Sequence, residues 1–171
     1  MTTVRSRLFR LLALTTTAIL ALTMVNPLRA EAVSGPFQLI AFNGEGSFDD
    51  RCMAVAGASQ LTNAKIVSWD CAPDHPEQLW YWTDDHMLKN LNSGKCIHGL
   101  PQGYQLWQDA CGSSDKVFEK ISAGAGKGWY LRNLYWGAVI AVANGSSANG
   151  TWIVLWRFTG GQEQRWKENH I

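Results

Sequence analysis

Apolar and aromatic residues come along this chain in short runs, and the runs recur. Five of them, at 37–42, 65–69, 129–134, 138–142 and 152–156, are rich in β-branched and aromatic side chains and read as strands. Turn chemistry separates them: Asn43-Gly44-Glu45-Gly46, Ala123-Gly124-Ala125-Gly126 and Asn144-Gly145-Ser146-Ser147. Beyond the first 32 residues no helix-length stretch carries a 3.6-residue apolar period. The pattern predicts an all-β domain.

The runs are organised by a repeat. Leu88-Lys89-Asn90-Leu91 returns 43 positions later as Leu131-Arg132-Asn133-Leu134, and Cys52 precedes Cys96 by 44. Each copy closes on an aromatic two residues after a polar position: Gln78-Leu79-Trp80, Lys116-Val117-Phe118 and Gln164-Arg165-Trp166. A period of roughly 40–45 residues marks a unit that cannot bury its apolar face alone and needs its copies to complete a core. Three such copies imply a closed threefold barrel, with Trp80, Phe118 and Trp166 inside.

Residues 1–32 have the pattern of an export signal. Arg5, Arg7 and Arg10 precede an apolar run over 11–25, and Ala30-Glu31-Ala32 offers a small-x-small cleavage site. The run is shorter than the ~20 residues that span a bilayer. The expectation is a secreted domain over 33–171, in repeats of about 37–82, 83–121 and 122–168, with no membrane insertion after leader cleavage. Of 15 Lys and Arg and 14 Asp and Glu, four arginines and one glutamate lie in the leader, so the rest is slightly acidic. That balance argues against a nucleic-acid partner, which calls for a basic stripe.

Four cysteines allow three pairings, and the repeat chooses among them. Cys52 and Cys71 lie in the first copy and Cys96 and Cys111 in the second; pairing within copies closes loops worth about 3 kcal/mol each in the chain-entropy model. The third copy carries Val139 and Phe158 at the corresponding places, an apolar pair expected to face each other in the interior. No Cys-x-x-Cys or paired-histidine spacing calls for a metal, and nothing calls for another cofactor.

Cys52-Met53-Ala54-Val55, Ser68-Trp69-Asp70-Cys71 and Glu77-Gln78-Leu79-Trp80 resemble one repeat of a ricin-type lectin domain, a β-trefoil with pseudo-threefold symmetry. Asn92-Ser93-Gly94-Lys95-Cys96-Ile97 and Ser147-Ala148-Asn149-Gly150-Thr151 resemble that family's other phrases, and the likeness runs from about Phe37 to Lys167. The resemblance implies carbohydrate binding: an Asp two residues after the first Cys takes hydroxyls, the Trp before the second Cys stacks on the sugar, and an Asn-Gln pair supports them.

The chain departs from that pattern in every copy. The Asp position holds Ala54, His98 and Ala141, and the Asn position holds Glu77, Asp115 and Glu163. What remains as candidate sugar-binding residues is Trp156, Gln164, Glu163 and Asn149 in the third copy, and Trp69, Gln78 and Glu77 in the first. In the shortened second copy the alignment of Trp107 and Asp109 stays open. Of the nine tryptophans, Trp136 and Trp152 stand where the family carries small or polar residues, and one is expected buried and the other exposed. Asn144 and Asn149 are formal glycosylation sequons, although Asn-Gly turns account for both.

The leading expectation is a secreted lectin-like module with degenerate sites and a glycan or glycoprotein partner. The alternative is a receptor- or protein-binding trefoil working beside a partner protein chain, similar to the binding subunits of cytolethal distending toxins. A hydrolase inhibitor is a third reading with no specific loop behind it. An enzyme is not expected: no Gly-x-Ser-x-Gly elbow or phosphate loop is present, and Asp84-Asp85-His86 reads as a solvated turn between copies.

Overall fold

The computed structural model describes residues 35–42 and 48–171; the leader expected at 1–32 lies outside them. Twelve strands run through the described residues: β1 (Phe37–Phe42), β2 (Phe48–Val55), β3 (Ile66–Asp70), β4 (Leu79–Trp82), β5 (Leu88–Asn90), β6 (Cys96–His98), β7 (Trp107–Asp109), β8 (Phe118–Ser122), β9 (Trp129–Asn133), β10 (Val139–Val142), β11 (Thr151–Trp156) and β12 (Trp166–His170). The five expected strands are present within a residue or so of their expected ends. The other seven include four of only three or four residues, too short for period-2 alternation to stand out.

Six strands close a barrel. Antiparallel pairing runs β1–β4–β5, then β8–β9–β12 and back to β1. A Met87–Val117 bridge joins the β5 and β8 sides. The other six strands form hairpins β2–β3, β6–β7 and β10–β11, which meet in a ring. Lys65 bridges Trp107, Gln105 bridges Val154 and Trp152 pairs with Val67. Each contact joins the same two positions of successive copies, so the ring closes without a free edge. Ile66, Leu106 and Ile153, one residue inward from these contacts, are fully buried. This is the expected β-trefoil.

The core sits where the copies meet. Trp80, Phe118 and Trp166 are 0%, 1% and 0% exposed. Each indole N–H finds a partner, as a buried polar group must: Trp80 Nε1 donates to the Met53 carbonyl at 2.9 Å and Trp166 Nε1 to the Ile140 carbonyl at 3.0 Å. Met53 and Ile140 each follow the first-cysteine position of their copy. The repeated Leu-x-Asn phrase has an equally structural meaning. Asn90 and Asn133 are fully buried; each reaches back to a carbonyl of the preceding aromatic-closure turn, Glu77 at 2.9 Å and Asp115 at 2.7 Å. Their Oδ1 atoms accept amides of the next turn, from Asn92 and Ser93 and from Tyr135 and Trp136. Gly99 leaves room for this grip, since a Cβ there would collide with the Asp115 carbonyl and the Asn133 amide.

Disulfides join Cys52 to Cys71 and Cys96 to Cys111. Two expectations are corrected. Val139 is buried, but Phe158 is 55% exposed and packs edge-on against Tyr130, with ring centroids 4.8 Å apart. A phenyl ring is too large for the gap that two sulfur atoms bridge, so it turns outward. Trp136 and Trp152 are both exposed, against the expectation of one buried: the third copy fills its core with Ile140, Ile153 and Leu155.

Trp166→Ala is expected to lose about 3–5 kcal/mol of unfolding free energy, the range for emptying a large aromatic site. Urea denaturation measures it, and a loss below about 1 kcal/mol would place Trp166 outside the core.

Candidate functional site

Side chains alternate across each hairpin strand, which separates residues that hold the trefoil from those available to a ligand. In β11, Ile153 and Leu155 point into the core, while Trp152 and Trp156 are exposed. In β3, Ile66 and Ser68 are buried and Trp69 is exposed. Ala54 and Ala141 pair with Val67 and Val154, so these four small residues form the outward floors of the first and third copies.

Over the third copy this produces a cleft of about 500 Å³. Ala141, Val142 and Val154 line its floor, Trp152 and Trp156 its walls, and Gly103 from the second copy reaches its rim. Among the described residues of the lining, Glu163 alone is charged. A glycine leaves room for its carboxylate: a Cβ on Gly161 would collide with both Glu163 oxygens. Gly161 has an ordinary φ of −61°, so it is there for room and not for backbone freedom. Thr159 Oγ1 lies 3.4 Å from Glu163 Oε1. A smaller cavity of about 130 Å³ adjoins this cleft through Val142, Gly145 and Glu163, and reaches Arg51 and Ser68 of the first copy.

Trp156, Glu163 and Trp69 therefore stand where a ligand can reach them. The two glutamines do not. Gln78 and Gln164 are 1% and 0% exposed, and both ends of each amide are bonded to backbone. Gln78 donates to the Asp70 carbonyl and accepts the Ala72 amide, both at 2.8 Å. Gln164 donates to Arg157 at 2.8 Å and accepts from Thr159 at 2.9 Å. Each fastens the chain on both sides of the second-cysteine position, which removes Gln78 and Gln164 from the sugar-contacting set. Asn149 is exposed, and its side chain is engaged within the protein. Its Oδ1 accepts from Arg51 and the Asp70 amide, and its Nδ2 donates to Asp70 Oδ2 at 2.7 Å, so it ties the third copy to the first outside the cleft lining. Glu77 is mostly buried in a 2.8 Å pair with His75.

Strand pairing settles the second copy. Cys96 lies opposite Asp109 and His98 opposite Trp107, whereas Cys52 and Val139 face Trp69 and Trp156. Asp109 thus occupies the stacking-aromatic position. Trp107 stacks on His98, with centroids 5.1 Å apart, and lies under the Lys65 ammonium. Lys116 replaces the buried glutamine and is itself 5% exposed; its Nζ bonds the Ser113 hydroxyl and lies 3.8 Å from Asp109 and 3.9 Å from Asp115. His98 Nε2 is 3.2 Å from Asp115 Oδ2. Burial opposes ionisation of Asp115, but hydrogen bonding by Ser113 and the charges of His98 and Lys116 outweigh it and hold its pKa below the ordinary 3.8. This copy presents a charge network in place of a sugar platform. Sequence reasoning left Trp152 out of the candidate sugar-binding residues, naming it with Trp136 as an aromatic surface if exposed, and passed over Gly161. Trp152 had a signal, since it shares a strand face with Trp156 at i, i+4. Gly161 had none, because only the placement of Glu163 reveals its purpose.

Asp84, Asp85 and His86 are exposed in a turn whose His86 carbonyl accepts the Phe118 amide. Among the described residues no group of three or more His, Cys, Asp or Glu can hold a metal, and no helix is long and apolar enough to cross a membrane.

Residues 76–156 match the family described as ricin-type beta-trefoil lectin domain-like. Three solved structures are similar in fold. A designed threefold-symmetric protein, ThreeFoil, is 20% identical with a TM-score of 0.71, over 80% of this chain and 99% of that one. The C-half of an earthworm R-type lectin, in complex with GalNAc, is 17% identical with a TM-score of 0.65, over 80% of this chain and 99% of that one. An exo-beta-1,3-galactanase from Clostridium thermocellum is 22% identical with a TM-score of 0.71, but the match takes 81% of this chain and only 30% of that one. No curated protein matches the chain in sequence.

Two outcomes test the division between structural and exposed residues. Gln164→Ala is expected to lose about 1–3 kcal/mol of stability, because the Arg157 carbonyl and the Thr159 amide lose their bonds to it; a variant of unchanged stability in urea denaturation would contradict the structural role. Asp115, with its depressed pKa, stabilises the fold fully above the ordinary carboxylate range, and that contribution disappears as pH falls through its lower folded value. The melting temperatures of the native protein and of Asp115→Asn should therefore differ at neutral pH and converge below about pH 3.8, as thermal melts across that range will read.

Proposed function

We propose that this chain, a ricin-type β-trefoil lectin-like protein, is a secreted carbohydrate-binding module that is not an enzyme and keeps its working sugar site in the third copy. The observation that carries the reading is the cleft itself. Indole walls, an aliphatic floor and the Glu163 carboxylate provide an apolar face for the C–H side of a pyranose and an acceptor for its hydroxyls. The first copy keeps Trp69 as an exposed platform, but its Glu77 is engaged by His75. The second has Asp109 in place of the platform. The structural relative that carries GalNAc in its complex is consistent with a saccharide ligand.

The third copy has Ala141 where the family places a carboxylate, and losing a charged acceptor forfeits about 1.5–3 kcal/mol. Glu163 approaches from another element and replaces part of that loss. The expectation is millimolar or weaker binding of galactose at one site, about −4 kcal/mol, with useful avidity only from linked sites or larger glycans. A second reading, a protein-binding trefoil with a partner chain, draws on Leu134, Tyr135 and Trp136, which expose apolar surface together at the β9–β10 turn.

Titration with galactose and lactose tests the site. Trp156→Ala and Glu163→Gln should each abolish measurable binding while leaving the melting temperature within a few degrees. Micromolar binding that survives both substitutions would refute the site, and no binding across a broad glycan array would favour the protein-binding reading.

A further inference from the structure

We propose that the cleft of the third copy is one end of a longer track, and that its ligand is an uncharged saccharide chain of several pyranose units that crosses from the third copy onto the first. This rests on the carbohydrate reading above and names its substrate class.

The track follows from strand geometry. Trp152 and Trp156 stand four residues apart on the outward face of β11, about 13 Å along the strand, and both wall the cleft. Trp152 pairs directly with Val67 of β3, and directly opposed residues share a face. Trp69, two residues further along β3, is then the diagonal neighbour of Trp152 at about 7–8 Å. Three indoles, 40%, 55% and 48% exposed for Trp156, Trp152 and Trp69, thus form one row across the joint between copies. Val154 and Val67 lie between them and are buried. Glycines border the two ends: a Cβ on Gly103 would lie 3.3 Å from the Trp156 ring, and one on Gly150 3.7 Å from the Trp69 ring.

A monosaccharide covers one of these rings and leaves two in water. A chain of pyranoses offers a C–H face at each platform in turn, which matches separate rings spaced along a line. Glu163 stands in the cleft lining and opposes an acidic unit at that end. At the other end Asp70, which follows Trp69, is paired with Arg51 and adds no net charge. The row stops there because the second copy has Asp109 at its platform position.

Calorimetric titration of the purified protein with neutral gluco-, galacto-, manno- and xylo-oligosaccharides of increasing length, and with oligogalacturonates, tests the track. For the binding series, affinity should rise about tenfold or more from one unit to four, and oligogalacturonates should bind at least tenfold more weakly than neutral chains of equal length. Trp69→Ala, outside the cleft lining, should keep monosaccharide binding and remove most of the gain with length, whereas Trp152→Ala and Trp156→Ala, which take away the cleft walls, should weaken every length. All three side chains are exposed, so thermal melts should show the variants folded. Length-independent affinity, a full gain with length in Trp69→Ala, or a preference for oligogalacturonates overturns the track while sparing the single site. No binding of any saccharide at any length overturns the carbohydrate reading and the track together.

Discussion

No copy of this repeat can bury its closing aromatic without the other two, and the rest of the molecule is arranged around that constraint. Trp80, Phe118 and Trp166 fill one shared core, and burying an indole requires its N–H to find an acceptor. The carbonyls of Met53 and Ile140 supply it from the residue after each first-cysteine position. The hairpin that carries that residue is thereby fixed to the barrel. From there the ring of bridges between hairpins follows, with Ile66, Leu106 and Ile153 sealed beneath it.

Because the inward faces are committed, ligand chemistry is left to the outward positions of the hairpins. Ala54, His98 and Ala141 occupy one equivalent outward position, and Trp69, Asp109 and Trp156 another. The closing aromatics do not depend on what stands there, so one scaffold carries an aromatic cleft in the third copy and a charge network in the second. The glutamines before Trp80 and Trp166 belong to the scaffold. Their amides serve backbone groups on both sides of the second-cysteine position, one of which is bridged by sulfur while the other is not.

The features legible in the sequence were those that repeat for reasons of burial. The closing aromatics, the within-copy cysteine pairs and five of the strands were placed by apolar runs and constant spacing, whereas β2, the longest strand, was not expected. The strands at 88–90, 96–98 and 107–109 were not legible, because three residues carry almost no periodicity and their pairing depends on partners from other parts of the chain. The candidate site was legible only in part. Trp156, Glu163 and Trp69 are accessible, but a motif does not distinguish an amide that faces a sugar from one that faces a carbonyl, and Gln78 and Gln164 face carbonyls. The partners of Asn149, Arg51 and Asp70, are likewise remote in sequence and invisible to a motif.

The second copy shows how a change inside the fold can abolish a site outside it. Lys116 stands where the other copies bury a glutamine, and a buried ammonium is tolerated only with opposite charge and hydrogen bonds close by. Asp115 and Asp109 provide the charge and Ser113 a hydroxyl. Asp109 does so from the strand position at which a stacking tryptophan stands in the other copies. An indole there would offer the ammonium no carboxylate and would leave it with Asp115 alone, which His98 already shares. A buried lysine and a sugar-stacking aromatic are therefore competing solutions at adjoining positions. The loss of the platform in this copy is coupled to the choice made beneath it, whereas the neutral glutamine of the third copy makes no such demand and leaves Trp156 free to face solvent.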